Sequence, residues 1–336
     1  MLNTTSSSHR SRYLVAALAV LLLASGCGAS TSQPGSETTS AAAASGSAIG
    51  GSTTATAQGA APAPLNLNLP KDDALAAALP DKYKQSGNLI VATDATYPPN
   101  EFLQEGSNEP VGMDVDLANA LGQLLGLKVT VTPAGFDGIL AGINAGRYDI
   151  SLSSFTDTKE REAAVNFVTY FKAGTSTMVL AGNPQNINSI TDLCGRPVGA
   201  ENGTTQLKQL NDATVDGSVV KACADAGKPA PIAQGYPKQT DVNSALISGR
   251  IDAYLADTPV VDYAVKLTGD KFEKVGKDAG TAPYGIAIPK DPAALTPTLQ
   301  KAMQKLMDSG DYQKILDNWG TSAGAIKTAV VNGATN

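Results

Sequence analysis

The chain has 336 residues, with 25 Lys and Arg against 31 Asp and Glu, one histidine and three cysteines. A formal net charge of −6 argues against a nucleic-acid partner, whose phosphates call for cationic faces. The one histidine, His9, lies in what reads as a leader, so the rest of the chain lacks the commonest zinc ligand and an ordinary neutral-pH general base; no metal, no cofactor and no catalytic residue is expected.

Arg10 and Arg12 precede an apolar run over 14–23, followed by Ala24-Ser25-Gly26-Cys27. The run is shorter than the ~20 residues a membrane-spanning helix needs and reads as the core of a secretory signal. The small residues before Cys27 resemble a bacterial lipobox, with Ala24 where leucine is usual. Residues 1–26 are therefore expected to be a lipoprotein signal peptide cleaved before a lipidated Cys27; the alternative is a plain signal peptide and an incidental cysteine. Removing the leader takes away two basic residues and leaves 25 − 2 = 23 against 31 acidic. Residues 27–64 are mostly Ser, Thr, Ala, Gly and Pro, cannot bury enough apolar surface to offset their ordering entropy, and read as a flexible tether. The folded part is expected from about Leu65 to about Gly320, long enough for a substantial core.

Strands and helices then alternate. NLIVATD (88–94) is a short apolar strand run. Leu117, Ala118, Leu121, Leu124 and Leu125 recur at helical spacing, and Gly126 stands where a C-terminal cap belongs. LKVTVT (127–132) reads as a strand, Asp137 as the cap of a helix carrying Ile139, Leu140 and Ile143 and ended by Gly146, and 148–152 as a third strand. This order implies a mostly parallel sheet with helices on its faces. The second half repeats the theme with a strand at 197–200, a helix after Thr205, a helix at 240–248 bearing Val242, Ala245 and Leu246, and a strand at 251–255. AGRYDISLSS (145–154) and SGRIDAYLAD (248–257) share a small residue, Gly-Arg, an Asp and a leucine in register, which puts Ser154 and Asp257 at the same place beyond a strand end. In open α/β sheets that edge is where ligands bind. Cys194 and Cys223, an even pair in an exported chain, point to one disulfide, with two buried free thiols as the alternative.

The stretch SLSSFTDTKER places Ser153, Ser154 and Thr156 between a strand and a helix start marked by Asp157 and Glu160, with Arg161 one turn in. Hydroxyls, first-turn amides and a guanidinium fork together match a carboxylate. In the other half, NGTTQ adds Thr204 and Thr205 at a second strand-to-helix turn, and Asp257 is an acid suited to an ammonium. A ligand that satisfies both halves is a zwitterion, an α-amino acid.

VATDATYPPNEF, GMDVDLANAL, FDGILAGINAGRYDISLSSFTDTKERE, GRPVGAENGTTQ, GRIDAYLADTP and YGIAIPK, in this order over roughly residues 80 to 320, resemble the extracellular solute-binding proteins, family 3, of amino-acid ABC transporters. The resemblance implies a type II periplasmic-binding-protein-like α/β fold: two lobes joined by a two-segment hinge, with the ligand cleft between them. The expected division is 65–177 for the first part of lobe 1, 178–280 for lobe 2, 281–320 for the return to lobe 1 and 321–336 for a tail. Arg161, Ser153, Ser154, Thr156, Thr204 and Thr205 would then hold the ligand carboxylate and Asp257 its ammonium. Tyr97 and Phe136 would flank the ligand side chain, and Asp94 would lie near its tip. Two departures stand out: Asn100 replaces the aromatic usual in PPFEF, and Glu201 occupies a position that carries lysine in glutamine-binding relatives. If Glu201 faces the ligand beside Asp94, the preference is for arginine, lysine, ornithine or histidine; if it points into solvent, a glutamine- or glutamate-type ligand is the alternative. The implied partners are an ABC permease and its ATPase subunit, with the chain a monomer held on the outer face of the cell membrane by its lipid. An exported enzyme of the same fold, such as cyclohexadienyl dehydratase, and a ligand sensor for a receptor are the rival readings.

Overall fold

The computed structural model describes residues 61–335; the predicted leader with His9, Cys27 and most of the tether lie outside the described residues. The strands, in chain order, are β1 (Asn88–Thr93), β2 (Thr96–Tyr97), β3 (Glu101–Leu103), β4 (Pro110–Val111), β5 (Lys128–Pro133), β6 (Ile150–Ser151), β7 (Asn166–Leu180), β8 (Pro197–Glu201), β9 (Ile232–Tyr236), β10 (Ala253–Asp257) and β11 (Phe272–Ile288). Eight of them form one sheet in the order β5-β1-β6-β11-β7-β10-β8-β9, and β2, β3 and β4 make a small antiparallel meander. Each end of the large sheet is a parallel trio, β5-β1-β6 and β9-β8-β10. Between the trios, β7 and β11 pair antiparallel along almost their whole length, from Phe272 opposite Leu180 to Ile288 opposite Asn166. The expected mostly parallel sheet is thus a mixed one, because these two long strands run through both halves and tie them together.

The apolar side chains collect in separate clusters on the two sides of that tie. Leu117, Leu121 and Leu125, from the predicted face of the helix Met113–Leu125, pack with Tyr170, Leu299 and Trp319 in lobe 1. Val198, Leu210, Val219 and Leu255 form a core in lobe 2, and Val242, Ala245 and Leu246 of the helix Gln239–Ile247 form another there. Gly126 has φ 67° and caps the first helix as expected, its amide bonding to Gln123. The two echoed stretches fold alike: the Asp149 amide bonds to Ile90 of β1 and the Asp252 amide to Pro197 of β8, each joining the start of its strand to its neighbour.

Three local expectations shift. The helix Phe136–Asn144 is entered from Gly135, so Asp137 sits in its first turn and does not cap it. The helix expected to start at Asp157 is capped by Thr158, whose hydroxyl accepts the Arg161 amide at 3.2 Å. The strand read over 148–152 is reduced to two residues in β6. At its N-terminal end the fold begins where expected, at Leu65, whereas its C-terminal end runs past the expected limit. Leu65, Leu67 and Leu69 lie against the lobe 1 core, with the Leu65 amide bonded to Asp116 at 2.8 Å and the Leu69 amide to Gln123 at 2.7 Å. Beyond Gly320 the chain stays ordered, with Ala329 and Val331 packed on the same core. No helix among the described residues is long and apolar enough to cross a membrane.

Cys194 and Cys223 form a disulfide in lobe 2, with Cys223 buried in the core. The bridge closes a loop with a sequence separation of 29, for which loop-closure entropy gives roughly 3–4 kcal/mol. Replacing both cysteines by serine is expected to lower stability by about that amount, read as a fall in the urea midpoint; an unchanged midpoint would mean the bridge constrains nothing in the unfolded chain.

Candidate functional site

The carboxyl ends of the strands from the two lobes meet around a narrow gap lined by Tyr97, Phe136, Ser154, Thr156, Arg161, Thr204, Thr205, Gln206 and Asp257. All but Gln206 are residues singled out from the sequence. The gap continues outward into a wider groove bordered by Lys159, Lys208 and Thr335. The two rims touch. Glu160 of lobe 1 pairs with Lys208 of lobe 2, and Gly203, at φ 78°, lies so close to Asp137 that a Cβ there would meet its Cα at 2.9 Å. A side chain at 203 would hold the lobes apart.

Arg161 rises from the six-residue helix Lys159–Ala164. Its guanidinium lies 5.1 Å from the Phe155 ring centre and 5.5 Å from that of Phe136, two rings stacked 4.2 Å apart. Nη1 donates to the Thr156 carbonyl and Nη2 to the Gly203 carbonyl, both at 2.8 Å, so the group is held by backbone of both lobes. A guanidinium has five N–H donors, and these bonds use two. Loss of water lowers its pKa to about 10 against the pull of Asp257, and it stays a cation at neutral pH.

Asp257 is buried at the end of β10, at the N-cap of the helix Thr258–Thr268, but its carboxylate does not cap that helix. It accepts instead from Gln206 Nε2 at 2.8 Å. Burial raises its pKa to about 6, opposed by the Tyr284 hydroxyl, Gln206 and Arg161, and it is mostly ionised at pH 7. Gln206 is the one lining residue without an assigned role in the sequence. It follows Thr204 and Thr205 in NGTTQ, and the only signal was that adjacency: a polar residue in a first helical turn usually faces water, whereas Gln206 is buried with its amide shared between Asp257 and Thr175.

The hydroxyls are mostly committed within the fold. Thr204 caps the helix Thr205–Asn211, accepting the Leu207 amide and donating to the Glu201 carbonyl at 2.7 Å; Thr205 donates to Gln206. Ser154, at φ 50°, gives its amide to Asp114 and its hydroxyl to Glu101. Asn100, the departure from the aromatic pattern, is fully buried and donates to the Ser154 oxygen at 2.9 Å, so it serves as a polar strut under that residue. Ser153 does not line the gap; its oxygen accepts the Asp94 amide at 2.8 Å.

Asp94 and Glu201 also lie outside the lining, buried behind Tyr97. Asp94 accepts from Thr96 Oγ1 at 2.6 Å and from the Phe136 amide at 2.9 Å. Glu201, at the end of β8, is 1% exposed, and neither of its carboxyl oxygens accepts a well-formed hydrogen bond. Burial, and then the negative charge of Asp94, push its pKa up to about 9, so it is a neutral acid at pH 7. It does not point into solvent. Two buried acids packed together are costly, and a positive group between them would relieve both.

The pH dependence of this cost has a definite sign. Glu201 holds its proton in the folded chain up to about pH 9, while in the unfolded chain it loses it near its ordinary value of 4.5, so its contribution erodes stability as pH rises across that window. Glu201→Gln is expected to unfold at the same temperature as the parent at pH 4 and at a higher temperature at pH 8–9. Equal thermal midpoints throughout the range would show that Glu201 is not buried as a neutral acid.

A sequence profile of the family described as "Bacterial extracellular solute-binding proteins, family 3" matches residues 89–322. The chain is 30% identical over 256 residues to the arginine-binding protein ArgT of Corynebacterium glutamicum, covering 76% of this chain and 82% of that one. It is 32% identical over 231 residues to ABC transporter arginine-binding protein 1 of Escherichia coli, covering 67% and 87%. Among solved structures, an ancestral arginine-binding protein bound to arginine superposes with a TM-score of 0.62 at 35% identity, covering 69% of this chain and 98% of that one. The two-lobed periplasmic-binding-protein architecture implied by the motifs is the architecture of the fold.

Proposed function

The chain belongs to the bacterial extracellular solute-binding proteins, family 3, and on that footing we propose that it captures a basic amino acid, arginine foremost, outside the cell and delivers it to an ABC importer. The observation that carries the choice of a cation is Glu201: a fully buried acid whose oxygens accept no well-formed hydrogen bond, in contact with a second buried acid, Asp94, behind the aromatic wall of the gap. In this reading Tyr97 moves aside and the ligand's guanidinium or ammonium enters between Glu201 and Asp94. The three unused donors of Arg161 take the ligand carboxylate, aided by the Ser154 and Thr156 turn, while Asp257 takes the α-ammonium and Tyr97 and Phe136 flank the aliphatic stem. The names of the relatives ArgT and arginine-binding protein 1 support the same ligand class.

Each end of the ligand is read by a different lobe, so only a closed cleft completes both contacts, and ligand stabilises closure by that difference in affinity. The closed form is what a permease would recognise. The run over 14–23 and Ala24-Ser25-Gly26-Cys27 support export and a lipid anchor at Cys27, and a diacyl anchor supplies the two chains that lasting attachment needs.

Calorimetry on residues 61–336 against the common amino acids and ornithine is the direct test. Arginine is expected to bind at least ten-fold more tightly than glutamine, and Arg161→Ala or Asp257→Ala to weaken arginine binding by ten-fold or more, in line with the ~2–5 kcal/mol of a truncated buried charge contact. A preference for glutamine, or unchanged affinity in either variant, removes the assignment. Because Glu201 is neutral at pH 7 and would ionise beside a cationic ligand, arginine binding should release close to one proton. Titrations in two buffers of different ionisation enthalpy measure that number; zero release would place the cation elsewhere.

A further inference from the structure

The family match ends at residue 322, yet the chain beyond it is not a loose end. Residues 329–334 run antiparallel to the start of β7: the Thr169 amide bonds to the Val330 carbonyl, and the Asn332 amide to the Phe167 carbonyl, both at 2.9 Å, with Val331 bridged to Val168. Ala329 is clamped from the other side by Gln300 and Gln304 of the helix Leu295–Ser309. The strap then reaches the helix that carries Arg161. The Gly333 amide donates to Asp157 Oδ2 at 2.7 Å and the Ala334 amide to Glu162 Oε1 at 3.0 Å, on either side of Arg161 in the chain.

That helix is held by polar contacts alone: besides the strap, Lys290 donates to the Glu162 carbonyl at 2.6 Å, Glu160 pairs with Lys208, and Arg161 bonds the Thr156 and Gly203 carbonyls. It is six residues long and buries none of them, so no apolar face fixes its position. Asp157 is fully buried, its other oxygen is unpartnered, and the Gly333 amide is the main contact opposing the rise of its pKa to about 7. Gly333 is glycine for a steric reason as well, since a Cβ there would come within 2.8 Å of Thr169 Cγ2.

We propose that the C-terminal strap is a positioning element for the ligand site: the Gly333 and Ala334 amides, through Asp157 and Glu162, hold the short helix that aims Arg161 at the ligand carboxylate. This rests on the reading of Arg161 as the carboxylate anchor. Among the described residues the strap ends with Thr335 on the border of the groove leading into the gap, which places it beside the ligand's entrance.

A double-mutant cycle with arginine as the probe tests it, using the chain ended after Lys327 and Arg161→Lys. With the parent Arg161, loss of the strap is expected to weaken arginine binding about ten-fold. In the Arg161→Lys background it should cost less than two-fold, because an ammonium cannot use the aim the strap provides. Asp157→Ala in the full chain removes the same link and should show the same dependence on Arg161 if the shortened chain does not fold. Unchanged affinity without the strap, or an equal loss in both backgrounds, overturns the inference and leaves the strap a packing feature. If Arg161→Lys itself binds arginine as tightly as the parent, the fault lies in the reading of Arg161.

Discussion

The site depends on opposite charges set on the two sides of one gap. Arg161 is pinned by carbonyls of both lobes and stacked over aromatic rings, and Asp257 is buried with a single well-formed side-chain donor in Gln206. Each is a charge whose burial costs free energy, and neither neutralises: the guanidinium keeps its proton, and the carboxylate stays ionised because the guanidinium, Gln206 and Tyr284 favour that form. A small zwitterion is the solute that answers both at once. The rest of the fold serves to bring a strand end from each lobe to the same place, and β7 and β11 are the continuous members that fix where the two ends meet.

The repeat between AGRYDISLSS and SGRIDAYLAD shows how this economy is built. In both copies a glycine in the left-handed region ends a helix, at φ 71° for Gly146 and 70° for Gly249, and an aspartate amide anchors the next strand to its neighbour. The register then delivers one residue to the rim of the gap, Ser154 in one lobe and Asp257 in the other. One supersecondary unit used twice brings a strand end from each lobe to the gap, with Arg161 following seven residues after the first copy and Asp257 closing the second.

This part of the molecule was legible in the sequence because short-range rules govern it. Capping glycines, helical spacing and the strand-to-turn hydroxyls all act within a few residues. What escaped depends on distant partners. β7 reads NFVTYFKAGTSTMVL, apolar at its ends and polar across Lys172 to Thr177, because its middle passes from one core to the other; the periodicity breaks where the strand does not. Gln206 is inward only because Asp257 awaits it. The tail AVVNGA has too little apolar surface to announce itself, and its order comes from pairing with β7 and from Asp157 and Glu162, which lie more than 150 positions away in the chain. Asp157, which marks a helix start in the sequence, gives its carboxylate to the strap.

The same buried acid that favours a cation also limits how strongly it can do so. With a pKa of about 9, Glu201 gives up its proton at pH 7 only at a cost of roughly 3 kcal/mol, two units at 1.36 kcal/mol each. A cationic ligand must recover that from its attraction to two carboxylates in a site of low polarity before any preference remains. A ligand with a carboxamide tip asks for no ionisation, because a protonated carboxyl group both donates and accepts and so complements an amide directly. Selectivity between arginine and glutamine is therefore a difference between a large gain with a toll and a smaller gain without one. Raising the pH toward the pKa of Glu201 removes the toll for the cation and withdraws the donor that the amide would use. Selectivity in this pocket is in that sense a property of one proton as much as of the shape around it.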